Sequence, residues 1–391
     1  MHEKISNFLR ERIAANDFPS AVYLVAEKGV IVFQDALGYA VVAPERIETR
    51  LDTIYDVASL TKPLVTGLLA AILIGEGELA PDRYVHSTLL ELAESGESVQ
   101  GIGRNEYDGT YVTTLELITH RSGYQAWKPF YLLVEKGPQA RKQILFEIAT
   151  KIPLQLKPKV IYSDLNYIML GGTIEKITKR PLDAAAKDLI AAPLGLSDTF
   201  FNPLTSIRSR IAATEKGNEF ERSTCIEQGF IEQTTAAAGD EILRNYQIWG
   251  KVHDGNAHFM DGVAGHAGLF STAEEVFRIA LQFLPDYTQL LVPRNCVIFR
   301  HNYTKGMNED RSFGFQLAST EGSTAGTKMS RESFGHNGFT GTSLWIDPVK
   351  ERIFVLLTNR PHNRTLPFVN INSVRRRFHD LAVDLLDGRL S

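Results

Sequence analysis

The sequence predicts an α/β (α+β) fold of two lobes. An antiparallel sheet is built from both ends of the chain and flanked by the terminal helices, and a mainly helical lobe is inserted between them. Three observations carry this expectation. Hairpin patterns lie near each end, helical patterns flank them, and the middle reads mostly as helix. The sheet lobe is expected over residues 1–75 and 255–391, and the helical lobe over 76–254. At 391 residues the chain can bury a large core and divide in this way.

The N-terminal stretch Met1–Arg10 has no apolar h-region and reads as an amphipathic helix. Ala21–Ala26 and Val30–Gln34 then flank a Lys28-Gly29 turn, the mark of a hairpin. An extended lead-in, Asp52–Ala58, runs into Ser59-Leu60-Thr61-Lys62, Pro63 and the almost wholly apolar run Leu64–Ile74. A helix that is apolar all round belongs inside a core, and proline is tolerated in a first turn. Further on, Leu156–Lys159 reads as an extended, proline-containing segment before Tyr162. Ser163-Asp164 reads as the N-cap of an apolar helix through Ile168–Ile174. Glu321–Thr327 has the composition of a mobile surface loop. Thr342–Ile346, a turn at Asp347–Glu351 and Arg352–Leu357 form the second hairpin. Val374, Phe378, Leu381 and Leu385 recur at helical spacing, with Arg375-Arg376-Arg377 on the solvated face.

Within this frame Ser59 and Lys62 are the chemical signal. Residues three apart on a helix share a face, so the hydroxyl and the amine should meet. No other serine in the chain has a lysine three positions on. A helix start also offers free backbone N–H groups and a positive dipole end to whatever the serine attacks. A lysine base must lose its proton, so Lys62 is expected to be depressed by burial or a nearby cation. Such sites recruit a second proton carrier, and Tyr162, on the loop before a helix, is the candidate. Of the three His-x-Gly sequences, at His253, His266 and His336, only the last runs into a strong strand pattern. Gly338 lets a substrate approach closely, and the Phe339 N–H is the expected second oxyanion donor beside that of Ser59.

Composition narrows the function. Hydrophobic content of 43%, charged content of 23% and a net charge of −4 are ordinary for a globular protein and suggest no nucleic-acid partner. No run approaches the roughly 20 apolar residues of a membrane span. Two cysteines make no disulfide framework, so a reducing, cytoplasmic location is expected. His253, His258 and His266 match no metal-binding spacing, and neither metal nor cofactor is expected. There is no Gly-x-Ser-x-Gly elbow and no phosphate-binding glycine loop. His266, set among glycines, is a candidate for the cleft lining, and Tyr124 and Trp127 are candidates for an aromatic cleft wall.

Ser59-x-x-Lys62, Tyr162-x-Asp164 and His336-x-Gly338, in this order, resemble the motifs of the serine β-lactamase and penicillin-binding-protein superfamily. The branch resembled is that of class C β-lactamases, D-alanyl-D-alanine peptidases and their esterase relatives. Leu117–Gly123 and Gly262–Ala273 fit the same branch, so the resemblance spans nearly the whole chain. It implies a β-lactamase-like two-lobe fold and a serine hydrolase working through an acyl-enzyme, with the site in the cleft between lobes. Ser59, Lys62 and Tyr162 would be catalytic, and Asp164, His336, Gly338 and Phe339 would hold substrate.

Two departures shape the substrate. The branch usually shows Tyr-x-Asn, and an ionised Asp164 can only accept hydrogen bonds. The third motif often begins with lysine, whereas His336 is only partly charged near neutrality. Both favour a small ester or amide over a β-lactam. The alternatives are a β-lactamase, a D-alanyl-D-alanine carboxypeptidase, or a penicillin-binding sensor that acylates without turnover.

Overall fold

The computed structural model describes residues 3–85, 111–155, 159–231 and 243–388. The expected extended segment at 156–158 lies outside them. Helix α1 (Glu3–Ala14) leads into strands β1 (Ser20–Glu27) and β2 (Val30–Val41). Lys28 (φ 51°) and Gly29 (φ 73°) both take positive φ, the requirement of a tight two-residue hairpin turn. With β3 (Ile47–Glu48) they form one end of a seven-stranded sheet of order β3-β2-β1-β10-β9-β8-β7. The rest comes from near the C-terminus: β7 (Gln316–Leu317), β8 (Phe334–Asn337), β9 (Ser343–Asp347) and β10 (Arg352–Thr358). The two expected hairpins are therefore neighbours in one antiparallel sheet, joined by the β1–β10 ladder from Ala21↔Thr358 to Glu27↔Arg352. A strand end that borders a substrate cleft would be expected at a sheet edge, and His336 lies on β8. β8 is instead second from the edge, because the two-residue β7 pairs with it.

Alternation along the central strands sorts the core into two layers. Tyr23, Val25, Trp345, Phe354 and Leu356 face α1 and the C-terminal helix, which is Asn372–Asp387. Val22, Leu24, Leu344, Ile346 and Val355 face the interior, with Leu64, Leu68 and Leu69. A second small sheet has the order β4 (Tyr55–Asp56), β6 (Leu269–Ser271) and β5 (Phe200–Phe201). It crosses the expected lobe boundary at residue 255, since β5 pairs with Leu269 and Phe270.

The apolar run after Ser59 is the core helix. It begins as a tight turn at Ala58–Leu60, widens to π geometry over Lys62–Gly67 and continues as α2 (Leu68–Gly75). Ala58–Gly75 is long and apolar enough to cross a membrane, yet 83% of it is buried inside the protein. Three local expectations are corrected. Ser163 stands at the N-cap of α3 (Asp164–Thr178), but its hydroxyl donates to the Gln125 carbonyl (2.6 Å) rather than capping. The 321–327 loop is anchored, because Thr324 bonds Asn337, the Trp345 indole and His379. Arg375 is not solvated: it is buried, and its guanidinium donates to the Gly338 and Thr342 carbonyls.

Candidate active site

The site is assembled from its backbone outward. Asp56, 2% exposed at the end of β4, accepts the N–H groups of Ala58 (2.8 Å) and His253 (2.7 Å). These bonds fold the chain sharply, and Ala58 takes φ of 50°. A left-handed non-glycine residue costs on the order of 1–3 kcal/mol, and such strain gathers at functional sites. The turn delivers Ser59 to the N-terminal end of the core helix. The end of β8 is stapled to the same turn: Thr340 donates to the Asp56 carbonyl (2.8 Å) and Thr342 to that of Val57 (2.9 Å). Gly338 is required there. A Cβ on it would fall 2.0 Å from Thr342 Oγ1 and 2.6 Å from the Val57 carbonyl oxygen.

Lys62 is completely buried. Its Nζ donates to Ser59 Oγ (3.0 Å) and to the His266 carbonyl (3.0 Å), and it is ion-paired with Asp164 Oδ1 at 2.7 Å. The π-helical register supports this, since Thr66 also donates out of the helix, to the Gly265 carbonyl (2.6 Å). The expectation of a depressed lysine is overturned. Burial would push its pKa down, but the charges of Asp164 and Tyr162 and their hydrogen bonds outweigh it and raise it. Lys62 is an ammonium at neutral pH.

Tyr162 stands on the loop before α3, its ring centroid 5.1 Å from Lys62 Nζ. His120 braces this loop, because its Nδ1 accepts the Ser163 N–H (3.0 Å) and its ring lies 4.7 Å from that of Tyr162. His336 lies on the other side, at 5.7 Å. The Asn337 carbonyl (2.9 Å) can only accept, so the neutral His336 ring carries its proton on Nδ1. Burial, then Lys62 and Arg311, hold the His336 pKa well below the usual histidine range. Burial and the neighbouring cations Arg311 and Lys62 do the same to His120.

The part-buried Asp254 and the buried His266 form a pair, with Nε2 and Oδ1 3.0 Å apart. Burial pushes Asp254 up, but His266, a backbone N–H and Lys62 hold it below the usual carboxylate range. The donor atoms of Asp164, Asp254 and His266 lie within 4.8 Å of one another, close enough to surround a cation. The Lys62 ammonium, paired with Asp164, already brings one there.

These groups open on a cavity of about 570 Å³ lined by Ser59, Tyr162, Asp164, His336, Gly338 and Phe339 together. Of the proposed aromatic wall Trp127 lines it, but Tyr124 does not: it is 2% exposed and packs in the core. His266 contributes its backbone carbonyl to Lys62 rather than a side chain to the cavity wall. Sequence reasoning missed Glu221, Asp254, Arg311 and Arg360, which also line the cavity. They come from four separate loops and helices, and no local pattern unites them. A larger cavity of about 890 Å³, lined by Tyr131, Arg244 and His258, contains none of the motif residues.

The Ser59 hydroxyl and the Tyr162 side chain share one cavity, the fully buried Lys62 ammonium bonds the serine, and a helix start lies beside a strand end. This arrangement can form and resolve an ester on serine. The comparisons agree. The family model described as Beta-lactamase matches residues 5–373. A putative D-alanyl-D-alanine carboxypeptidase of Escherichia coli strain K12 is 32% identical over 370 residues, covering 88% of this chain and 79% of that protein. Among solved structures, EstCE1, a hydrolase with promiscuous acyltransferase activity, superposes with a TM-score of 0.71 at 18% identity over 97% of both chains. An octameric penicillin-binding protein homologue from Pyrococcus abyssi gives 0.69 at 17% identity, covering 98% of this chain and 77% of the other. By the family match and the Escherichia coli relative, the chain belongs to the Beta-lactamase family of serine hydrolases.

Proposed function

We propose that the protein hydrolyses small esters or amides through an acyl-enzyme on Ser59. The observation that carries this reading is the contact of Lys62 Nζ with Ser59 Oγ at 3.0 Å, beside an Asp164 that keeps the lysine charged. An ammonium cannot accept the serine proton, so in this reading Tyr162 acts from its phenolate form, having first lost its own proton to solvent, and takes it. Ser59 Oγ attacks the acyl carbon, and the backbone N–H groups of Ser59 and Phe339 stabilise the oxyanion. Tyr162 returns the proton to the leaving group as the C–O or C–N bond breaks. Water then attacks the acyl-enzyme by the same route in reverse and frees Ser59. Lys62 holds the phenolate and orients the hydroxyl throughout.

Asp164 and a neutral His336 support the ester preference, since neither offers the donor or the positive charge that would grip a β-lactam. The test compares kcat/KM for p-nitrophenyl butyrate and nitrocefin, in the wild type and in Ser59→Ala. Ester hydrolysis well above nitrocefin hydrolysis, lost by several orders of magnitude in the variant, is expected. Residual turnover within tenfold of wild type would sink the assignment of Ser59. The second reading is a D-alanyl-D-alanine carboxypeptidase, as the Escherichia coli relative is named. Release of D-alanine from a D-alanyl-D-alanine peptide, faster than ester hydrolysis, would put it first. The free, buried Cys225 and Cys296 are consistent with work in a reducing compartment.

A further inference from the structure

The third motif holds a histidine kept neutral by its surroundings, so the cavity needs another source of positive charge beside Tyr162. Arg311 is placed to supply it. It is 5% exposed, lines the cavity with Ser59 and Tyr162, and sets its guanidinium carbon 5.4 Å from the Tyr162 ring centroid. The loop that carries it is tied down by its own backbone. The Arg311 N–H donates to Thr304 Oγ1 (2.7 Å), and its carbonyl accepts the Tyr303 N–H (2.9 Å). One ion pair, to Glu309 at 2.7 Å, holds the head group, and its Nε makes no hydrogen bond with any described residue.

We propose that Arg311 is a positioning residue for acylation, flanking the Tyr162 ring with Lys62 to stabilise the negative charge Tyr162 bears after giving up its proton. The inference rests on the reading that Tyr162 takes the Ser59 proton. The groups around the phenol leave few other candidates. His120 and His336 are neutral, and Tyr167 reaches away to the Ile118 carbonyl (3.0 Å). Asp164 neutralises much of Lys62, as Glu309 does of Arg311. Two partly neutralised cations thus share the work that one lysine base cannot do here. An opposite charge within about 4–6 Å favours an ionised group by roughly 1–3 pH units.

The test is the pH dependence of kcat/KM with p-nitrophenyl acetate, a neutral substrate, in Arg311→Gln, Arg311→Lys and Glu309→Gln. In Arg311→Gln the acidic limb should move up by about one unit, lowering the rate near neutrality about tenfold while the alkaline plateau recovers. Arg311→Lys should restore the limb, because it keeps the charge. Glu309→Gln should move the limb the opposite way, since it removes the anion facing the guanidinium, and this holds even where Arg311→Gln fails to fold. An unmoved limb in Arg311→Gln and Glu309→Gln, or an equal loss at every pH, would overturn the proposal. A rise in KM confined to an anionic ester, with the limb unmoved, would instead make Arg311 a substrate anchor and likewise overturn it. Ser59→Ala separates the two levels. If that variant stays active, the proposed function fails. If it is dead and the limbs do not move, only the role of Arg311 fails.

Discussion

Lys62 keeps its proton because Asp164 lies 2.7 Å away, and this one contact divides the labour of the proposed site. Asp164→Asn removes the strongest charge holding the ammonium, so burial should then pull the lysine pKa down. The amide can also donate to a substrate carbonyl. The expected outcome is at least a tenfold rise in the ratio of nitrocefin to ester kcat/KM. An unchanged ratio would show that Asp164 does not set the preference. Glu221, at the cavity wall, is a second test at this scale. Burial and the nearby Asp254 carboxylate push its pKa up to about 7 from an ordinary value of 4.5. The folded protein therefore holds a proton there that the unfolded chain gives up. That stability is full below pH 4.5 and is lost as pH rises towards 7, on the order of 3 kcal/mol. Glu221→Gln should lose less melting temperature than wild type between pH 5 and 8, and parallel curves would refute the assignment.

The critical elements are the Ala58 turn and the end of β8, which reach Ser59 and Phe339 from opposite ends of the sequence. Thr340 and Thr342 tie them together, and Gly338 allows their approach. Gly338→Ala would place a Cβ 2.0 Å from Thr342 Oγ1, forcing the strand end away from the turn. We expect kcat for ester hydrolysis to fall about a hundredfold, the scale of losing one oxyanion donor. KM should change much less, and circular dichroism should stay native. A variant with native kcat would place the second donor elsewhere. The core helix is legible in sequence because Leu64–Ile74 is apolar all round, but its π-helical start is not. That widening comes from Lys62 and Thr66 bonding to carbonyls of residues 266 and 265, contacts that exist only in the folded chain.

Across the whole molecule the two termini stabilise the platform on which the site is built. Phe378, fully buried on the C-terminal helix, packs edge-on against Tyr23 of β1 at 5.8 Å, and that helix also touches α1. Arg352 of β10 is 2% exposed and pairs with Glu27 of β1 and Asp387 of the last helix. Phe378→Ala should cost about 3–5 kcal/mol, read as a lower denaturation midpoint. The pH profile of the surviving enzyme should not move, because Phe378 packs on the far layer of the sheet and does not line the cavity, although Asn372 and Arg375 of its helix do. A shift in the profile would mean that the outer layer is coupled to the site.

What the sequence by itself determined were features carried by neighbours in the chain. The hairpins, the core helix, the terminal helices, the Ser59–Lys62 pair and the His336-x-Gly338 strand end all follow from period, turn chemistry and spacing. Their family resemblance tied them into one fold. Only the tertiary structure decided the charge state of Lys62, because a residue 102 positions away determines it. It likewise buried Arg375, whose partners are carbonyls of the β8–β9 turn, and sent Tyr124 to the core. Arg311, Glu221 and Asp254 entered the cavity for the same reason. Desolvation and charge act through space, so they are set by what packs alongside a residue and not by what precedes it in the chain.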